Sequence, residues 1–334
     1  MLAEFEAQVK STEQRGFNSA ILDITEFSKL QIEKRAEYLS PWIKEGSIGL
    51  ISGWRGCGKT FFALGILDAI TCGASFGPWK CETPVPSLLL DGEMLPQDII
   101  ERANDLRINV DRQNPLYIYS DAHAAHLGLS RANLTDESWR TEMKDVLIQR
   151  KVKFWVIDNI ASLASGLDEN IKLDWDPVNQ WLLQLRFARI STLMLHHLGK
   201  GGLQRGTSAR EDNLDYSIVL KAPPNYSPED GCHFTTHFSK ARVLTSELNQ
   251  IADMEFKLIQ DENGKLAWTW GSVKTQTKKE VLRLLDDGIT QTEIASILNI
   301  HKGTVSKIRS QAIKDGLLTS KNKLSQTGIL NINR

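Results

Sequence analysis

Residues 53–60 read Gly-Trp-Arg-Gly-Cys-Gly-Lys-Thr, types and spacing suited to holding a phosphate chain. The glycines let the backbone bend so that successive N–H groups face phosphate oxygens. An apolar run precedes the loop and a helix over 61–70 follows it, the context such a loop requires. The helix N-terminus adds partial positive charge. The expected ligand is ATP, lined by Gly53, Trp54, Arg55, Gly56, Cys57, Gly58, Lys59, Thr60 and Phe61. Lys59 should reach the β- and γ-phosphates, and the Thr60 hydroxyl should ligate Mg2+.

Three further runs end in groups that complete such a site. Leu88-Leu89-Leu90-Asp91-Gly92-Glu93 puts carboxylates at a strand tip, where ligands of open α/β sheets collect. Glu93 there can orient and deprotonate an attacking water; the plainer reading is that Asp91 or Glu93 caps the helix starting near Pro96. Phe154-Trp155-Val156-Ile157-Asp158 has the Walker B form, and Asp158 is expected to hold Mg2+ through its water shell. Leu193-Met194-Leu195-His196-His197 closes another strand. Neighbouring strand residues face opposite sides, so the two histidines do not readily share one ion. His197 is taken as the γ-phosphate sensor, and whichever histidine faces inward is an ordinary buried one.

These groups need a sheet to place them. Apolar runs at 48–52, 87–91, 116–119, 154–158, 192–196 and 216–220 alternate with helical stretches, which predicts an α/β fold with a mainly parallel sheet. Runs at 232–238 and 267–270 read as antiparallel additions. Residues 176–189 form an amphipathic crossover helix carrying Val178, Trp181, Leu182 and Leu185. Residues 1–40 are expected to be a helical arm, with Ile21, Ile24, Phe27 and Leu30 at apolar spacing. Residues 41–271 are then the nucleotide-binding domain, 271–277 a short polar linker, and 278–334 a small all-α domain.

Bulk composition bounds the class. A chain of 334 residues, 41% hydrophobic and 24% charged, suggests roughly two globular domains with a core that needs no staples. Its four cysteines are scattered without a Cys-x-x-Cys pair, which argues against a zinc site or disulfide framework and fits a reducing cytoplasm. Neither a signal peptide nor a long apolar span is evident, so no membrane partner is expected. The net charge is only −1, but residues 272–334 carry 11 Lys/Arg against 5 Asp/Glu. That basic end on an acidic body points to a segment that meets phosphate.

The basic end reads as three helices over 278–286, 290–298 and 302–314. Thr290 is a candidate N-cap, Asn299 stands in the turn where a left-handed backbone is needed, and Ala295 is small at the helix crossing. Ile294, Ile297, Leu298, Val305 and Ile308 are the expected core. This resembles a bacterial helix-turn-helix, whose third helix would offer Lys302, Thr304, Ser306, Lys307, Arg309 and Ser310 to DNA. Gly316-Leu317-Leu318 can start a small wing. A helical protein–protein module is the alternative.

Taken in order, the motifs resemble the RecA-like ATPases of the RepA and DnaB replicative helicase group, and most closely the AAA-family ATPases of plasmids and mobile elements. The resemblance spans roughly residues 41–270. It rests on Pro41-Trp42, Glu45-Gly46, the phosphate loop, Phe61-Phe62-Ala63-Leu64, Asp91-Gly92-Glu93-Met94, Val156-Ile157-Asp158-Asn159 and His196-His197 with Gly199-Lys200-Gly201-Gly202. Arg205-Gly206-Thr207-Ser208, Asp212 and Lys240-Ala241-Arg242 follow. It implies Glu93 as catalytic glutamate, His197 as sensor, and Lys240 and Arg242 as cations reaching a neighbour's γ-phosphate in a hexameric ring. A solvated strand end is the plainer reading of those two. Loops 162–176 and 199–205 correspond to DNA-contacting loops. The second supplies Lys200 and Arg205, whereas the first is acidic, a departure from a basic DNA channel. The activity implied is an ATP-dependent DNA helicase; the alternatives are a DNA-binding regulatory ATPase that does not unwind, or a recombination mediator.

Overall fold

Strand β3 (Ile48–Gly53) is buried at every position, as expected of a parallel strand covered on both faces. The computed structural model describes residues 17–108, 111–164, 172–198, 213–223 and 226–332. Around β3 stand β6 (Ser87–Asp91), β7 (Leu116–Ser120), β8 (Phe154–Asp158), β9 (Ser191–His197) and β10 (Tyr216–Lys221). An antiparallel extension adds β11 (His233–Ala241), β12 (Met254–Gln260) and β13 (Leu266–Ser272). The order across the nine-stranded sheet is β7-β6-β8-β9-β3-β10-β11-β12-β13. Two short antiparallel pairs, β1 (Glu37–Leu39) with β2 (Ile43–Lys44) and β4 (Ser75–Phe76) with β5 (Trp79–Lys80), complete the strands.

Alternation along the strands builds two cores. Ile51, Leu89 and Val156 point to one face, while Leu50, Leu88 and Ile157 point to the other. Two helices enter the chain before the sheet is crossed: α1 (Ile24–Ser28) and α2 (Lys59–Cys72), the latter burying Phe62, Ile66 and Ile70 in the first core. Next in the chain come α3 (Pro96–Asp105) and α4 (Asp121–His126). The second core takes Met143 and Leu147 from α5 (Glu137–Gln149). It also takes Val178, Trp181, Leu182 and Leu185 from the crossover helix α7 (Lys172–Phe187), which follows the short α6 (Ile160–Leu163). Aromatic contacts tie the antiparallel extension to the loop helix: the Phe62 ring lies 5.2 Å from each of Phe76, Phe234 and Phe256.

The remaining helices are α8 (Val273–Asp286), α9 (Gln291–Ile297), α10 (Lys302–Lys314) and α11 (Gln326–Ile332). Val281, Leu285, Ile294, Leu298, Val305 and Ala312 form a separate small core. Thr290 caps α9 in a reciprocal capping box with Glu293, and Asn299 adopts φ 49° in the turn, both as expected. Ile297 is a correction: it faces solvent rather than the core.

Two further expectations give way. The polar stretch 271–277 is not a linker, because β13 runs to Ser272 and α8 starts at Val273 with no residue between. Its Lys, Thr and Gln residues disguise helical backbone. The described part of the N-terminal arm is also less helical than its apolar spacing suggested. Compactness divides the chain at Arg35–Ala36. In the described part of the first unit, helix is limited to a 3-10 turn at Phe17–Ala20 and to α1, started by an Asp23–Glu26 capping box. Residues 37–39 belong to β1 in the second unit. Residues 1–16 lie outside the described residues.

Candidate functional site

Sheet register gathers the predicted groups at one edge. Gly53 at the end of β3 lies opposite His197 of β9, and Asp91 of β6 lies opposite Asp158 of β8. The loop between β3 and α2 turns through Gly56 and Gly58, at φ 79° and 94°. A Cβ on Gly58 would fall 2.1 Å from the Cys232 sulfur, so a close approach as well as the backbone demands glycine. A Cβ on Gly56 would meet nothing, which leaves that side of the cradle open. α2 then starts at Lys59 with no acidic residue in its first turn. Its first N–H groups are therefore suited to an anion.

Lys59 is buried beneath the loop. Its Nζ donates to the carbonyls of Gly53 (3.1 Å) and Trp54 (2.8 Å). Burial pulls its pKa down, and Cys57, Asp158 and Glu93 oppose that shift. The Thr60 hydroxyl donates to Asp158 Oδ2 at 2.6 Å. Burial lifts the Asp158 carboxyl to about 7; the Thr60 hydrogen bond and Lys59 oppose the rise, and Asp91 and Glu93 add to it. Thr60 and Asp158 thus present adjacent oxygens beside the loop, a donor set that suits Mg2+.

The roles of the two strand-tip acids separate. Asp91 accepts from the N–H groups of Glu93 (3.2 Å) and Met94 (2.7 Å), closing the turn. Its other oxygen is buried without a hydrogen-bond partner among the described residues. Glu93 is left half exposed, its Oε1 3.8 Å from His197 Nε2. The local cap is therefore Asp91, and Glu93 faces the site.

His197 is fixed by a residue to which the sequence reading gave no role. Asn159 Oδ1 accepts from Ser162 N (3.1 Å), which orients the amide so that Nδ2 donates to His197 Nε2 at 3.0 Å. An accepting Nε2 assigns the proton to Nδ1 and the ring to its neutral form. Burial and the charges of Lys59 and Arg55 lower the His197 pKa, against the opposing pull of Glu93. His196 points away and is buried. Around the rim, Arg55 is exposed, the Trp54 ring stands 5.3 Å from Tyr226, and Arg102 stacks over Phe61 at 4.9 Å.

Lys240 and Arg242 are not brought to this edge. Lys240 pairs with Ser217, and Ala241 with Tyr216, which in turn pairs with Gly49 at the start of β3. Gly53 lies about 13 Å further along that strand. Arg242 sits instead over buried Asp215, its Nη1 3.6 Å from Oδ1. Asp215 also accepts from Ile48 N and pairs with Arg186.

In the C-terminal helices, Lys302, Thr304, Ser306 and Lys307 are exposed on α10. Arg309 is the exception to the expected DNA-facing set. Its Nε donates to Asn322 Oδ1 (2.6 Å) and its Nη2 to the Ser320 carbonyl (3.2 Å), which holds the guanidinium against the following turn. Lys200, Arg205, Asp212 and residues 165–171 of loop 162–176 lie outside the described residues. Among the described residues no helix is long and apolar enough to cross a membrane.

A phosphate loop, an acid-tipped strand one removed from it in the sheet, and a carboxylate at the next strand tip define a P-loop ATPase of RecA-like type. The family model for the AAA domain matches residues 17–202, more than half of the chain, and the chain belongs to that family. A homeodomain-like domain model matches residues 272–318, the helix-turn-helix. Among solved structures, a KaiC-like protein from the hyperthermophilic archaeon Pyrococcus horikoshii is similar over 70% of this chain and 94% of its own. The identity is 18% and the TM-score 0.48. No curated protein matches the chain.

Proposed function

We propose that this protein is a Mg2+-dependent ATPase that works as a ring of identical subunits on DNA, of the RepA-like replicative helicase type. The observation that carries the reading is the separation of Arg242 from its own phosphate loop, at opposite edges of one sheet. A cation there serves catalysis only if a neighbouring subunit presents its loop to it. Such cations neutralise charge developing on the transferred phosphoryl group.

In this scheme the loop amides and Lys59 hold the triphosphate, and Thr60 and Asp158 hold Mg2+. When bound, the ion neutralises charge between the β- and γ-phosphates. Glu93 takes a proton from water as its oxygen attacks the γ-phosphorus and the bond to the β–γ bridging oxygen breaks. His197, neutral and steered by Asn159, lies close enough to Glu93 to register the change and pass it along β9.

Mixing two inactive variants tests the arrangement. Lys59→Ala keeps the finger and loses the loop, and Arg242→Ala does the reverse. Random co-assembly of equal amounts should restore about a quarter of wild-type phosphate release, because one interface in four pairs an intact loop with an intact finger. No recovery would place both groups in one subunit's site, or in none.

One observation favours a second reading, a DNA-bound regulator that does not unwind. The C-terminal helices suit duplex rather than a single strand. DNA-stimulated hydrolysis without strand displacement from a forked substrate would select it.

A further inference from the structure

Past α10 the chain does not trail away. Leu318 and Leu324 form an antiparallel bridge, and residues 319–323 close a hairpin between them. Thr319 N donates to the Lys323 carbonyl (2.8 Å) and Asn322 N to the Thr319 carbonyl (3.0 Å). Asn322 takes the left-handed conformation, φ 63°, that such a turn requires. Three parts of the helical module pin its base. Arg309 of α10 grips Asn322 and Ser320. Asp286, at the end of α8, accepts from Leu324 N (2.8 Å) and, through its carbonyl, from Lys323 Nζ. Ser325 bonds back to Gly316 and Leu317. At the tip stands Lys321, exposed and without a polar partner among the described residues.

A lysine held out on a turn braced this heavily loses little freedom on meeting an anion. We propose that the 319–323 hairpin is a wing that delivers Lys321 to a DNA phosphate, and that Arg309 is a positioning residue for the wing rather than a DNA ligand. The inference rests on the reading of α9 and α10 as a duplex-binding module. The charge fits a polyanion: Lys302, Lys307 and Lys314 are exposed on α10, and the one acid of the segment, Asp315, lies 3.6 Å from Lys278.

The test is the salt dependence of duplex binding by the full chain. The readout is fluorescence anisotropy with a labelled random-sequence duplex of about 30 base pairs, over roughly 50 to 200 mM salt. Losing one phosphate contact should flatten the slope of log K against log salt by about 0.9 per bound protomer. Lys321→Gln should show that loss, Arg309→Met should match it, and the double variant should lose no more than either. A double variant that loses twice as much overturns the positioning role, because Arg309 would then hold its own phosphate. A wild-type slope in Lys321→Gln, with a reduced slope in Lys307→Gln, overturns the wing and leaves the duplex-binding module standing. Wild-type binding that ignores salt, with no variant altering it, overturns both. Unchanged circular dichroism of Lys321→Gln guards against misfolding.

Discussion

The two edges of the sheet treat charge in opposite ways. At the amino edge, Asp215 is surrounded by Arg186, Arg242 and the Ile48 amide, and Lys44 lies between Glu37 and Glu247. At the carboxyl edge, Asp91, Glu93 and Asp158 crowd together, and burial lifts the pKa of Asp91 and Asp158. Lys59, the cation among them, hydrogen-bonds backbone carbonyls instead of a carboxylate. A protein can satisfy such acids internally, as the amino edge demonstrates. Leaving them strained sacrifices stability where a polyphosphate and its cation would bring the missing charge.

That contrast can be broken by substitution. Lys59→Ala should reduce phosphate release by about 1,000-fold or more, the largest effect, because among the described residues no other buried cation faces the loop. Turnover within tenfold of wild type would remove the carboxyl edge as the reaction site. Glu93→Gln keeps shape and loses the base; turnover should fall about 100-fold while binding of a fluorescent ATP analogue persists. If binding falls in step with turnover, Glu93 is a ligand of the complex and not its base. At the amino edge, Asp215→Ala strands Arg186 and should cost about 3 kcal/mol of folding stability, read by urea unfolding. A loss under 1 kcal/mol would mean that this edge is not held by its charges.

The sharpest comparison is the smallest effect, and it runs the other way. Asp158 carries a folded-state pKa of about 7, above its unfolded value, so the folded protein binds its proton more tightly. Stability therefore falls as pH rises through the interval between the two values, and the cost is fully present above about 7. Asp158→Asn removes that cost. Without nucleotide, it should melt several degrees higher than wild type at pH 8, with a smaller gain at pH 5, while losing turnover. Equal gains at both pH values would show that the charge is not what strains the site.

Strands buried on both faces were legible because nothing polar interrupts them: residues 87–91 and 154–158 fall where the apolar runs placed them. Strand β12 was not read. Its Met-Glu-Phe-Lys-Leu-Ile-Gln sequence is half polar, and its outer positions meet solvent near the sheet edge. The phosphate loop announced itself through glycines and a lysine at fixed spacing. Asn159 stood inside a recognised motif, yet its role depends on Ser162 N turning the amide, a fact of three dimensions. The bonds of Arg309 were hidden for the opposite reason. Helical spacing marks the residue as a surface cation, but only the hairpin beyond the helix shows that its Nε and Nη2 bond the turn. Cys232 gave no signal at all, since its contact with Gly58 joins segments far apart in the chain.

Cys232 touches the glycine of its own phosphate loop and immediately precedes β11, whose far end leads into Arg242. Nine residues of extended backbone span about 30 Å, paired along most of that length with one register shift opposite Ser217 and Ile218. A tilt forced on the loop at one end would reach the guanidinium at the other along this one strand. In the ring proposed above, such a strut would join the phosphate loop of one subunit to the cation offered to its neighbour.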